Sequence, residues 1–274
     1  MSGLDLSGKR VVVTGEKGLG GELVRQATEA GAEKVMFSYC SGAVEAQELH
    51  EATGATFSRL ALGDLESHAS FLEAVRAFGP VDLFVANAGM IASGRLKDTS
   101  PKQARRILDV NLFGNIALVD DLIVGDYMAK RGRDMAEWSR AGLIGSVAAG
   151  GHVGQRHYAA SKRGLRGYVE SLPDDMDVRR KRVGVCLLEP AFVDTGNPDV
   201  TAAINYYREK IIAAGGADGQ ARWEEFVAKG YVMKAPAAAE EVLRLMTCPE
   251  VVGVRAIPEG ATMAKVREYL NKAA

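Results

Sequence analysis

The chain has 274 residues, 47% of them hydrophobic, with 34 basic and 35 acidic side chains and a net charge of −1. That length can bury the core of one sizeable domain whose sheet is covered on both faces. The balanced charge argues against a nucleic-acid or anionic-membrane surface. His50, His68, His152 and His157 show no metal-ligand spacing, so no metal is expected. Cys40, Cys186 and Cys248 are too few and too scattered for a disulfide framework, which favours reduced thiols and a cytoplasmic location. Residues 1–9 carry no basic-plus-apolar signal segment, and no apolar run is long enough to span a bilayer.

Residues 10–14 are rich in valine and predict a buried strand. A glycine-rich turn follows, Gly15-Glu16-Lys17-Gly18-Leu19-Gly20-Gly21. Residues 20–30 predict a helix ending at Gly31, a C-cap signal. A strand at 34–40, a helix at 44–53, a strand at 56–62 and a helix at 65–78 come next. The fourth strand, 81–86, leads into Asn87-Ala88-Gly89. Residues 101–128 predict one long helix, with Ser100 as N-cap and Pro101 at its first position. Residues 125–141 are charged and predict a solvated loop. A strand at 143–146, a long helix at 153–171 and a strand at 183–188 follow.

Residues 194–234 hold Tyr206, Tyr207, Trp223 and Phe226 among charges and glycines, and predict one or two amphipathic helices. Residues 251–260 predict a last strand. Strands alternating with helices mean right-handed βαβ units. The expected fold is α/β, a Rossmann-type doubly wound parallel sheet in a single domain over 1–274.

Tyr158 and Lys162 carry the sharpest chemical signal. Four residues apart on a helix, they share one face. A cation beside a phenol favours the phenolate, so the Tyr158 pKa is expected to fall from near 10 toward neutrality. A tyrosine tuned in that way exchanges a proton with an alcohol or carbonyl oxygen. The glycine turn supplies a second signal. It follows a strand and opens a helix, where close backbone approach and free N–H groups cradle a pyrophosphate.

Taken in order, the glycine turn, Asn87-Ala88-Gly89, Ser146 after the fifth strand, and Tyr158 with Lys162 resemble the short-chain dehydrogenase/reductase family over about residues 9–195. The turn departs in one respect. Two residues rather than three separate Gly15 from Gly18, and the Gly15, Gly18, Gly21 spacing matches the epimerase-like branch. Ser146 and Tyr158 are twelve apart, one fewer than usual, and the glycine-rich loop 148–154 absorbs the change.

The resemblance implies a nicotinamide dinucleotide bound by Gly15, Lys17, Gly18, Leu19 and Gly20 in the turn. Asn87, Ala88 and Gly89 lie by the adenine ribose, and Asp64 and Leu65 by the adenine. Asp64 is equally a helix N-cap. Pro190, Val193 and Thr195 hold the nicotinamide carboxamide, with Ala191 in place of a common glycine. The implied catalytic set is Asn111, Ser146, Tyr158 and Lys162. Ser146 holds the substrate oxygen, Tyr158 moves the proton, and Lys162 tunes Tyr158 and holds the nicotinamide ribose. Asn111 holds a water behind the lysine, or is a buried side chain satisfied by backbone. Residues 194–234 cover the substrate in such proteins.

The expected cofactor is NADP, with NAD possible. The second strand ends Phe37-Ser38-Tyr39-Cys40-Ser41 without the acid that an NAD-preferring turn uses, and Lys17 precedes Gly18. Ser38, Tyr39 and Ser41 stand at the ribose end. The implied substrate is a small carbonyl compound or alcohol, and the implied assembly a homotetramer or homodimer through the two long helices. Three alternatives stay open: a nucleotide-sugar epimerase or dehydratase, a halohydrin-dehalogenase-like enzyme, and a non-catalytic dinucleotide sensor. The retained Lys162 and glycines argue against the second, and the retained tyrosine and lysine against the third.

Overall fold

The computed structural model describes residues 4–130, 132, 134–248 and 253–271. In the first half the elements are β1 (Arg10–Thr14), α1 (Leu19–Glu29), β2 (Lys34–Tyr39), α2 (Ala43–Thr53), β3 (Thr56–Arg59), α3 (Leu65–Phe78) and β4 (Leu83–Ala86). Then come α4 (Pro101–Leu108), a π-helical turn (Asp109–Gly114) and α5 (Asn115–Val124). The second half holds β5 (Ser139–Ile144), α6 (Arg156–Ser171), α7 (Met176–Lys181), β6 (Val183–Pro190), β7 (Phe192–Asp194), α8 (Pro198–Gly215), α9 (Gly219–Ala228), β8 (Val232–Lys234), α10 (Ala235–Thr247), β9 (Gly253–Ile257) and α11 (Met263–Asn271).

Seven strands form one parallel sheet in the order β3-β2-β1-β4-β5-β6-β9. Valine and leucine runs make the inner strands, because a parallel sheet covered on both faces buries every side chain. Val11 and Val13 pack with α1 and α10 residues such as Leu23 and Val242 on one face. Val12, on the alternate face, packs with Phe71, Leu118 and Leu165 on the other. The strand order reverses between β1 and β4, and ligands of such sheets sit at the carboxyl ends of the strands there. A separate apolar cluster joins Phe192, Tyr207, Ile211, Phe226 and Met263 beyond the sheet.

The boundaries differ from the sequence expectations at informative places. The single helix over 101–128 is two, split by the π turn that contains Asn111. The loop expected over 125–141 is partly sheet. Met128 is buried and pairs with Val81, and β5 starts at Ser139. Ser139 and Arg140 hid that strand, since a buried arginine breaks the apolar run. Its guanidinium donates to the Met135 carbonyl (2.9 Å). The helix expected from 153 starts at Arg156, because Gly151 and Gly154 take positive φ angles. Ser146 lies past β5 and caps a short 3₁₀ turn, accepting from the Ala148 N–H (3.1 Å). The last strand is Gly253–Ile257, and residues 251 and 252 of the expected one lie outside the described residues. The region 194–234 does contain two helices, α8 and α9.

Candidate active site

The carboxyl ends of β1 and β4 are tied together by Thr14. Its hydroxyl accepts from the N–H groups of Asn87 (3.0 Å) and Ala88 (2.9 Å). Asn87 Nδ2 donates back to the Thr14 carbonyl (2.9 Å). Sequence reasoning missed Thr14, which reads there as the last residue of a strand.

The glycine turn lies directly above. The Gly15 N–H donates to the backbone oxygen and the hydroxyl of Ser38, each at 3.1 Å. A Cβ on Gly20 would lie 2.2 Å from the Gly15 carbonyl oxygen, so only glycine lets α1 begin this close to the turn. Gly18 has φ +55°, and a Cβ there would lie 2.8 Å from Cβ of Thr195. A groove of about 1060 Å³ runs past this turn, lined by Gly15, Lys17, Gly18, Leu19, Ser38, Asp64, Asn87, Ala88, Gly89 and Thr195. Cys40, not anticipated, lines it too. These features fit a dinucleotide: a crowded glycine turn, a helix starting beside it, and a long groove.

Not every expected cofactor residue faces that groove. Tyr39 stacks edge-on against Phe57 and is partly buried in the core. Leu65 is 65% exposed at the first position of α3, and Ser41 is exposed beyond β2; neither lines the groove. Gly20 acts by being small rather than by lining it. Asp64 both lines the groove and caps α3, accepting from Glu66 N (3.1 Å). Lys17 pairs with Glu45 on α2, Nζ to Oε1 2.6 Å.

At its inner end the groove meets a cavity of about 380 Å³; Leu19, Asn87, Gly89, Met90 and Thr195 border both. Ser146, Tyr158, Lys162, Pro190 and Val193 line the cavity. Ser146 hydrogen-bonds the Tyr158 side chain. Lys162 is 4% exposed, and its Nζ donates to the Ile144 carbonyl (2.7 Å) and lies 5.6 Å from the Tyr158 ring centre. Met90, His152, Gln155 and Met263 also line the cavity. None of these four could be placed from sequence, since loops and the last helix bring them in.

Asn111 is fully buried in the π turn. Its Oδ1 accepts from Met90 N and its Nδ2 donates to Met90 O, both at 2.7 Å, with Ser161 Oγ at 3.3 Å. Of the two roles open from sequence, the backbone clamp is the one these contacts make. The clamp holds the Asn87–Met90 turn against α6. A Cβ on Gly89 would sit 3.1 Å from Asn111 Oδ1 and 3.8 Å from Lys162 Nζ.

A family model for short chain dehydrogenases matches residues 9–203. The chain belongs to the short-chain dehydrogenase family. Acetoacetyl-CoA reductase from Synechocystis is 32% identical over 214 residues, covering 77% of this chain and 82% of that one. Dehydrogenase/reductase SDR family member 7B from Bos taurus is 30% identical over 198 residues, 68% of this chain but only 58% of the relative. The fold matches that of a 3-ketoacyl-(acyl-carrier-protein) reductase from Brucella melitensis solved with NADH, with TM-score 0.72, 20% identity, and coverage of 92% of this chain and 96% of that one. As a short-chain dehydrogenase the protein is an NAD(P)-dependent oxidoreductase.

The electrostatics of this short-chain dehydrogenase correct one expectation. Burial pushes the Tyr158 phenol above its usual value, and the hydrogen bond with Ser146 opposes this. Burial also pulls the Lys162 ammonium down to about 8. Desolvation sets the direction, opposite to the phenolate near neutrality that the helix-face pairing suggested. No described helix is long and apolar enough to cross a membrane.

Proposed function

We propose that the protein reduces a small carbonyl compound, and oxidises the matching alcohol, with NADP(H) as the favoured cofactor. The observation that carries this reading is that the glycine-turn groove opens into the cavity holding Ser146, Tyr158 and Lys162, so one bound molecule can reach both. When bound, the dinucleotide supplies or accepts the hydride. Ser146 holds the substrate oxygen by a hydrogen bond. Tyr158 donates its proton to that oxygen in reduction and takes it back in oxidation. Lys162, charged at neutral pH, keeps a positive charge beside the phenol and holds the ribose. Asn111 positions the turn at Gly89 rather than touching substrate. Residues 194–234 close one side of the cavity through Thr195, Asn197, Val200 and Ala203.

The test is NADPH oxidation over a panel of ketones and aldehydes, with Tyr158→Phe alongside. Turnover by the wild type and a loss of about 10²- to 10⁴-fold in the variant support the reading. A panel with no turnover with either dinucleotide overturns it. We further infer a homodimer or homotetramer through α4, the π turn, α5 and α6, where Phe113 in the π turn (56%) and Val124 at the end of α5 (62%) are exposed. Light scattering that gives a monomer at micromolar concentration refutes that assembly.

A further inference from the structure

The short turn that follows Ser146 is held at both ends. Ser146 Oγ caps its start, accepting from the Ala148 N–H (3.1 Å). The turn then runs through Val147–Gly150 to Gly151, where φ is +95°. Its backbone bonds run from the Ala149 N–H to the Ser146 carbonyl and from the Gly151 N–H to the Ala148 carbonyl. The last carbonyls of a helical turn lack such a donor, and basic side chains often serve them. Here two arginines do so. Arg267 Nη2 donates to the carbonyls of Gly151 (2.5 Å) and Gly150 (3.5 Å), and Arg163 Nη1 on α6 donates to that of Ala149 (3.5 Å).

Arg267 belongs to α11, which lies directly on the turn. A Cβ on Gly150 would stand 3.0 Å from Cβ of Met263, the first residue of that helix. Met263 and Val266 are buried in one apolar cluster with Val147 and Phe192. Arg222 on α9 ties the far end of α11 through the Tyr269 carbonyl (2.9 Å). The helix is thus anchored without Arg267, whose exposed side chain lines neither the cavity nor the groove. We propose that Arg267 is a positioning residue for Ser146. It clasps the far end of the turn that Ser146 caps, and so fixes the Ser146 hydroxyl toward Tyr158 and the substrate oxygen. This rests on the reading of Ser146 and Tyr158 in the carbonyl reductase proposed above.

Ketone reduction is measured in Arg267→Ala, Ser146→Ala and the double variant. Arg267→Ala should lower kcat about tenfold while the Kd for NADPH stays as in wild type. Its alcohol-oxidation limb should move to higher pH, as in Ser146→Ala. Arg267→Lys keeps a charged donor and should recover much of kcat. In the Ser146→Ala background, Arg267→Ala should cost no more than about twofold, since nothing is left for it to position. Losses that multiply in the double variant, or wild-type kcat in Arg267→Ala, overturn the proposal and leave the reductase reading intact. If the wild type reduces no ketone, the reductase reading fails and amide hydrogen exchange in the full chain decides the clasp. The Ala148 N–H, bonded to Ser146 Oγ, should exchange about tenfold faster in Arg267→Ala than in wild type, and close to the wild-type rate in Arg267→Lys. Unchanged exchange in Arg267→Ala overturns it.

Discussion

Lys17 Nζ lies 2.6 Å from Glu45 Oε1 at the mouth of the dinucleotide groove. The carboxylate of Glu16 joins them; a Cβ on Gly42 would meet Glu16 Oε1, Lys17 Cε and Glu45 Oε2 within 3.1 Å. The hydrogen bond from Lys17 holds the Glu45 carboxyl below its usual pKa, and Glu45 raises that of Lys17. The one basic group of the turn is thus already engaged, and a 2′-phosphate would have to compete with Glu45 for it.

Two substitutions measure that competition. Lys17→Ala should lower the NADPH to NADH ratio in kcat/KM by about ten- to a hundredfold, because a charged hydrogen bond to phosphate is lost. Glu45→Gln should raise the same ratio a few-fold by freeing Lys17, and less so at high salt. A Lys17→Ala variant with an unchanged ratio would show that Lys17 does not read the phosphate.

The direction of the Tyr158 shift sets a pH profile. A raised phenol pKa keeps Tyr158 protonated at neutral pH, ready to donate. Reduction should therefore hold steady through neutrality, and alcohol oxidation should climb as the pH rises above it. Ser146→Ala removes the hydrogen bond that opposes the shift, so its oxidation limb should move to higher pH as turnover falls. Oxidation that peaks at or below neutral pH is the result that contradicts this.

Lys162 ties the site to stability. Its pKa is lowered from 10.5 to about 8 by burial. Above 10.5 neither state holds the proton and there is no penalty. As the pH falls from 10.5 to 8 the unfolded chain gains the proton first, so stability drops, by about 3 kcal/mol in order of magnitude, and then levels off. Lys162→Met lacks this dependence. The difference in unfolding free energy, wild type minus variant, should rise between pH 8 and 10.5 in urea titrations. A flat difference would mean that Lys162 is not desolvated in the folded protein.

Gly20→Ala tests the turn itself. The new Cβ would lie 2.2 Å from the Gly15 oxygen and 2.7 Å from Asn87 Nδ2, so the turn or α1 must move. Overpacking of this kind costs about 1–3 kcal/mol. Dinucleotide affinity, followed by fluorescence titration, should weaken because the moved atoms belong to the groove. Affinity equal to wild type would place Gly20 outside the cradle.

Much of this architecture could be read along the chain. Valine-rich runs alternating with helical stretches leave parallel right-handed crossovers as the one economical solution, while the order of the strands in the sheet is set by the tertiary structure. The Tyr158–Lys162 spacing is local, and so is the approach of Gly20 to the Gly15 carbonyl, whereas Thr195 and Asn87 crowd the same turn from far along the chain. Other features depend on residues distant in sequence. Arg140 becomes strand only because β4 and β6 offer partners on both sides, and Ser139 because β6 does on one. Asn111 becomes a clamp because Met90 folds back over it. Tyr158 is raised rather than lowered because of burial, a property of the whole packed site and not of its own helix. His152 shares a cavity with Met263 only after the last helix packs beside the loop, 111 residues further along the chain. Pattern and propensity act over a few residues; desolvation and cavity shape are set by everything that surrounds a group, and the fold alone assembles those surroundings.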